Sequence, residues 1–322
     1  MDNAKNVKTK KLKIKKIVII VSFAFIALLL GTLILIPVIV MPMFLGQRFE
    51  REQFYSIDFG IESERVTITT DDSLALAAWR TKAQAGATKG TVIILSGIQN
   101  PSVTAFFGYA KMFSDNGWDT LLIEMRARSQ SEGDEIGLGM TEWLDVKAGV
   151  DFLSLDENVK KLPIVAMGTS MGGGTVIIAA GELPRINAVI SISAFSTFAD
   201  LFVDNMSMFG IPKFLGIMDI PFLNLYIGFH FGFDALKYSP INGIAKLGKR
   251  PILMMHSTGD TQVPYSEFER LLKAAESKGV QVTTFTREGD FHFICYDEYF
   301  DNPAQDTEFS RAIIHFLADT FE

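Results

Sequence analysis

The sequence predicts an α/β fold: a mostly parallel eight-stranded sheet with helices on both faces and a helical cap insertion, preceded by one N-terminal transmembrane helix. From Arg65 onward, short apolar β-prone runs alternate with helix-length amphipathic segments, the signature of parallel strands joined by crossover helices. The alternation stops over residues 195–245, where nine Phe fall between Phe195 and Phe233 with Met206, Met208, Met218, Pro212 and Pro221 and no strand period survives. Ahead of all this, Ile17–Ile36 is twenty residues without a charge. As a helix it spans roughly 30 Å, the thickness of a bilayer core.

The N-terminal elements come first. Residues 1–16 are a basic tail with seven Lys against one Asp. Residues 17–45 read as a transmembrane anchor, because the apolar stretch continues past Pro37 to about Leu45. A cleaved signal has an apolar region of about 7–15 residues and a small-x-small exit, whereas this one is longer and leaves through Val40-Met41-Pro42-Met43-Phe44. An uncleaved signal-anchor is the better reading, over a cleaved signal or a buried soluble helix. With seven Lys in front and only Arg48 and Arg51 close behind, the positive-inside bias puts the N-terminus in the cytoplasm. Everything after about residue 46 is then expected on the extracytoplasmic side of the cell membrane. Residues 46–64 read as a linker and residues 65–322 as one folded domain.

At 322 residues, 48% of them apolar, the chain can bury a large core. The net charge is −7, so with the tail at +6 the rest stands at −13. A body this acidic repels phosphate backbones and excludes a nucleic-acid role for the main domain. The single Cys295 cannot form an internal disulfide, and with four His there is no zinc-type cluster. Asn205-Met206-Ser207 fits the glycosylation pattern, which matters only in a eukaryotic secretory setting.

Within the domain, Val66–Thr70 and Leu74–Thr81, joined by Asp71-Asp72-Ser73, read as an antiparallel hairpin at a sheet edge. Then come the strand Thr91–Leu95, the helix Pro101–Asn116, the strand Trp118–Glu124, the helix Met140–Leu155, the strand Pro163–Gly168, the helix Met171–Leu183 and the strand Ile186–Ser193. After the insertion the alternation resumes with the strand Pro251–His256, the helix Pro264–Lys278, the strand Val280–Thr286 and a closing helix from about Gln305 to Phe321.

The chemistry centres on Gly168-Thr169-Ser170-Met171-Gly172, set between a strand and the helix-forming run Thr175–Ala180. A nucleophile on such a turn takes strained backbone geometry, and glycines two residues either side let the neighbouring chain pass. The alternative is a purely structural turn. The backbone N–H of Met171 opens the helix, where free donors and the positive dipole end favour an oxyanion. A serine hydroxyl needs a general base, and that base needs an orienting partner. Of the four histidines, His292 fits best: it lies in the loop Arg287-Glu288-Gly289-Asp290-Phe291-His292 after the last strand, at the sheet end that carries functional loops. His315 reads as a packed or edge residue of the closing helix, His256 as support for the loop after its strand, and His230, among the aromatics of the insertion, as structural, membrane-facing or substrate-touching. The orienting acid is expected to be Asp260, just past the preceding strand, ahead of Asp290 and, more weakly, Asp200 and Asp204.

With nucleophile, acid and base in the order Ser170, Asp260, His292, residues 60–320 resemble the alpha/beta-hydrolase superfamily. Glu124-Met125-Arg126-Ala127-Arg128-Ser129-Gln130-Ser131 is similar to that family's Asp-x-Arg-Gly-x-Gly-x-Ser loop; Arg126 and Ser131 match, Glu124 replaces the Asp, and Ala127 and Ser129 stand where glycines are usual, so a different loop path is expected. Ser96-Gly97 replaces the family's His-Gly pair. The resemblance implies a second oxyanion donor at the backbone N–H of Ile98, with Gln99 the nearest substitute. In the cap position of the family, the Phe- and Met-rich insertion either lines an apolar pocket over the nucleophile, forms its own small core, or contacts the membrane; Gln99, Phe195 and His230 are the candidate substrate contacts. The expectation is therefore a membrane-anchored serine hydrolase of small-molecule or lipid-like carboxylic esters with apolar acyl groups. Peptidase or amidase activity and a non-catalytic binding protein on the same fold are the alternatives. No metal or organic cofactor is required by this chemistry.

Overall fold

The computed structural model describes residues 2–45, 50–84, 86–98, 102–208 and 210–322, with side chains from residue 10 onward. Helix α1 (Asp2–Leu45) runs unbroken through Pro37 and Pro42. Eight strands form one sheet: β1 (Glu64–Thr69), β2 (Ala75–Thr81), β3 (Thr91–Leu95), β4 (Asp119–Ile123), β5 (Ile164–Thr169), β6 (Ala188–Ile192), β7 (Ile252–Ser257) and β8 (Val282–Arg287). Their spatial order is β1-β2-β4-β3-β5-β6-β7-β8. Only β2 runs against its neighbours; every pairing from β4 to β8 is parallel. The C-terminal ends of β3 to β8 therefore share one edge.

Both sheet faces are buried, which is why the central strands read as continuous apolar runs rather than alternating ones. Ile93, Leu95, Leu121 and Ala166 point into one core layer and Val92, Ile94, Leu122 and Met167 into the other. The first layer is covered by α3 (Trp143–Ser154), α4 (Met171–Glu182) and α8 (Tyr265–Lys278), the second by α2 (Phe107–Asp115) and α9 (Thr307–Phe321). The insertion after β6 holds α5 (Phe198–Met208), α6 (Lys213–Phe231), a short 3-10 turn (Phe233–Lys237) and α7 (Pro240–Ile244), a helical cap.

Two helices begin later than the sequence suggests. The Pro101–Asn116 segment opens as a 3-10 turn over Val103–Phe106 before α2, and Pro101 lies outside the described residues. The Met140–Leu155 segment becomes helical only at Trp143, because the Glu142 carboxylate accepts N–H bonds from Gly137 at 2.6 Å and Gly139 at 2.7 Å and folds residues 137–142 into a tight turn. The end of α1 is part of the domain: Met41 and Leu45 are fully buried in the first core layer, and Leu45 O accepts from Ile136 N at 2.9 Å.

Candidate active site

Ser170 sits between β5 and α4 at φ 59°, ψ −121°, a left-handed conformation that a β-carbon-bearing residue adopts only when its surroundings enforce it. The surroundings are close on both sides. A β-carbon on Gly168 would stand 2.3 Å from Gly172 O, and one on Gly172 would stand 2.5 Å from Ser96 O. Glycine is thus required at both positions, and the end of β3 abuts the Ser170 turn. Ser170 N donates to Ile192 O of β6 at 2.8 Å, which fixes the turn to its neighbouring strand.

The adjacent loops after β7 and β8 bring the acid and the histidine together. Asp260 Oδ2 and His292 Nδ1 are 2.8 Å apart, and both residues are buried. Asp260 Oδ1 accepts from the backbone N–H of Gln262 at 2.8 Å and Val263 at 2.9 Å. Burial pushes the Asp260 carboxyl up, but the hydrogen bonds from His292 and the two backbone donors outweigh it, and the group is held below its usual range. With Nδ1 engaged by the carboxylate, Nε2 of His292 is the nitrogen left for a reacting hydroxyl. Among the described residues Ser170 has no hydrogen bond to His292, whose hydrogen-bond partner is Asp260.

The other acids and histidines are engaged elsewhere. Asp290 accepts from Thr261 N at 3.1 Å and Thr261 Oγ1 at 2.8 Å, tying one loop to the other. Asp200 accepts from Thr197 Oγ1, and Asp204 from Ser266 and Arg270, which fasten the cap to α8. His256 Nε2 lies 2.8 Å from Val263 O and braces the Asp260 loop; burial lowers its pKa. His315 is exposed on α9. His230, expected among the substrate contacts, instead pairs with Glu135 at 2.6 Å and stacks on Tyr226 beside α1, because α6 turns that face outward. Phe195 is buried against Gly174 and lines a cavity of about 280 Å³ under the cap. Met171 opens α4, so its N–H has no carbonyl one turn back. Ile98 is half-buried in the loop after β3, and Gln99 lies outside the described residues.

In the loop after β4 two residues without glycine's freedom take left-handed backbone. Ala127 and Ser129 keep positive φ, 57° and 38°. Arg126 holds the loop down by pairing with both Asp145 and Asp72, Ser131 donates to Glu124 O, and Glu124 accepts from Ser102 in the Asp's place. Two further residues that position the site are not legible in the sequence. Arg287 at the end of β8 donates to Ile294 O and pairs with Asp306 at 2.7 Å, clamping the loop that carries His292. Glu267 of α8 accepts from both the N–H and the hydroxyl of Ser196 and fixes the start of the cap. Both sit among other polar residues, Arg287 between Thr286 and Glu288 and Glu267 near Ser266 and Glu269, so nothing in the sequence singles them out. Cys295 is buried, and burial pushes its thiol up to about 12. Among the described residues no cluster of His, Cys, Asp and Glu is arranged to hold a metal ion.

A family model described as the prolyl oligopeptidase family matches residues 137–322, more than half of the chain and a span in which Ser170, Asp260 and His292 all lie. The chain belongs to the prolyl oligopeptidase family. It is a serine hydrolase, of esterase or peptidase type. YqkD, an uncharacterised protein of Bacillus subtilis, is 28% identical over 233 residues, 69% of this chain and 74% of that protein. An esterase of Pyrococcus furiosus shares the fold with a TM-score of 0.67 at 21% identity, covering 86% of this chain and 99% of its own. The acylaminoacyl peptidase of Pyrococcus horikoshii does so with a TM-score of 0.61 at 16% identity, over 81% of this chain and 42% of its own. The fold is the alpha/beta-hydrolase fold.

Proposed function

We propose that the protein is a membrane-anchored serine hydrolase that cleaves carboxylic esters with apolar acyl groups through an acyl-enzyme on Ser170. The observation that carries this reading is the Asp260–His292 pair at 2.8 Å on the sheet edge that also presents Ser170 on its left-handed turn. His292 Nε2 takes the Ser170 proton as Oγ attacks the ester carbonyl carbon. The Met171 and Ile98 N–H groups stabilise the oxyanion. Collapse expels the alcohol, which takes the proton from His292; water activated by the same nitrogen then attacks the acyl-enzyme and releases acid and free Ser170. Ionised Asp260 keeps the ring oriented and supports its charge.

The preference for apolar acyl groups rests on the cavity beside Phe195, walled by Leu138, Met140, Phe198 and Ile227. Membrane anchoring rests on α1, whose apolar stretch is long enough to cross a bilayer and is almost wholly uncovered. A peptidase reading is favoured by the family description and by the likeness to an acylaminoacyl peptidase. The test is the detergent-solubilised full chain, wild type and Ser170→Ala, assayed on p-nitrophenyl esters of rising chain length and on peptide p-nitroanilides. The ester reading expects kcat/KM to rise with acyl length and to exceed that for any amide; faster amide cleavage favours the peptidase. Recovery of the full chain in the soluble fraction of broken cells contradicts the anchor.

A further inference from the structure

Helix α6 is apolar on both faces. Its inner face buries Gly216, Leu223 and Ile227. Along the outer face Phe214, Ile217 and Phe229 are 61%, 53% and 77% exposed, with Met218 and Leu225 between them. The one charge between Phe214 and Phe229 is Asp219, which is fully buried on the inner side. Soluble surfaces seldom carry so continuous an apolar stripe.

The stripe is continuous with the anchor. A groove of about 360 Å³ runs between α1 and α6, lined by Ile34, Val38, Phe222, Leu225 and Phe229. On α1 the domain covers Leu33, Pro37, Met41 and Leu45, one side of its last turns, while Ile34, Leu35, Val38 and Ile39 stay open beside the groove. A twenty-residue span from Ile17 ends at Ile36, so the cap meets the anchor where the helix leaves the bilayer core. Polar contacts at both ends hold α6 in place, Lys213 to Asp204 of α5 at 3.1 Å and His230 to Glu135 of the domain at 2.6 Å. It is thereby a lid lying along the domain rather than a second free span. Its opposite side, through Asn224 and Ile227, lines the cavity next to Phe195. A single helix, about 10–12 Å thick, separates the outer face from that cavity.

We propose that α6 lies in the outer leaflet beside α1, and that the substrates are bilayer-partitioned acyl esters that reach the cap cavity from the lipid phase. This rests on the membrane-anchored hydrolase reading above and adds the lipid as the occupant of the α6 face. Apolar side chains at the acyl boundary sit about 5–10 Å deep and lose water contact there, which removes the cost of the exposed stripe.

The test uses the full chain in phosphatidylcholine vesicles, with bimane on one introduced thiol at a time, since Cys295 is buried. Ile20→Cys reports on α1, Phe229→Cys on α6, and Asp319→Cys on the opposite end of the sheet. Acyl-chain spin-labelled phosphatidylcholine is expected to quench the first two by roughly half or more, as for groups 5–10 Å deep, and the third little. Quenching at 20 without quenching at 229 overturns this proposal and leaves the anchor standing; no quenching at either overturns the anchor itself. In parallel, Phe214→Glu/Phe229→Glu is expected to lose about tenfold or more on vesicle-borne 4-methylumbelliferyl palmitate, from two aromatic burials lost, and to stay within about twofold of wild type on soluble 4-methylumbelliferyl acetate. Equal losses on both esters, or none on either, contradict it.

Discussion

The loops after β7 and β8 are laced together atom by atom, whereas the cap above them packs mainly through apolar side chains and is pinned by polar contacts at a few points, Ser196, Asp204 and His230 among them. Thr258 N donates to Arg287 O at 2.9 Å, Gly259 N to Gly289 O at 2.8 Å, and Phe291 N to Ser257 Oγ at 3.1 Å, so Asp260 and His292 have little freedom to separate. The cap presents Phe202, Met206, Leu223 and Ile227, side chains that pack without directional demands. Chemistry tolerates errors of only about 0.5 Å, whereas recognition of an acyl chain requires volume and apolar surface. Single-atom changes at the sheet edge should therefore be severe, and conservative changes in the cap mild.

The largest effect tests that contrast directly. Ser170→Ala is expected to remove turnover while the melting temperature stays within a few degrees of wild type; a variant keeping more than a few per cent of the rate removes Ser170 as nucleophile. Next, Asp260→Asn is expected to lower kcat by about 10³–10⁴, as for a lost orienting carboxylate. Asp290→Asn, which loosens only a loop tie, should cost less than about tenfold. Reversed magnitudes would mean that the wrong acid has been chosen.

Arg287→Met comes third and is read as stability. Removing the guanidinium strands Asp306, and losses of about 3–5 kcal/mol are usual for a broken buried pair. In the wild type, burial raises the Asp306 carboxyl but the Arg287 hydrogen bonds outweigh it and hold it below its usual value. The pair's stabilisation is therefore fully present above the unfolded value of about 4 and lost as pH falls through the lower folded value. Urea midpoints should differ most near pH 7 and converge in acid; a gap that does not shrink as the pH falls contradicts the assignment. In the cap, Met206→Leu, a volume-conserving swap, should cost under about 1.5 kcal/mol and leave short-ester kcat unchanged.

The same contrast governs what the sequence makes legible. The succession of strands and helices and the loops bearing Ser170, Asp260 and His292 follow from apolar runs and from glycines at fixed offsets, because backbone sterics act locally. The path of the loop after β4 does not: Ala127 and Ser129 adopt the backbone of glycine because Arg126, Asp145 and Asp72, far apart in sequence, over-determine it. Replacing Ala127 with Gly should change stability by no more than about 1 kcal/mol, since relief of the left-handed strain is offset by a freer unfolded chain. The partners of α1 and α6 are equally hidden, because a helix apolar all round does not declare which side it buries. That is why the sequence leaves His230 open between structural, membrane-facing and substrate-touching roles, while in the structure it lies against Glu135 and α1.

The central claim is that the sheet edge carries an activated serine. Treating the solubilised full chain with a fluorophosphonate probe and locating the adduct by peptide mass analysis tests it most directly. Labelling at Ser170, lost in His292→Ala and strongly slowed in Asp260→Asn, is the expected result. A folded, open-capped protein that takes no label at Ser170, or takes it regardless of His292, contradicts it.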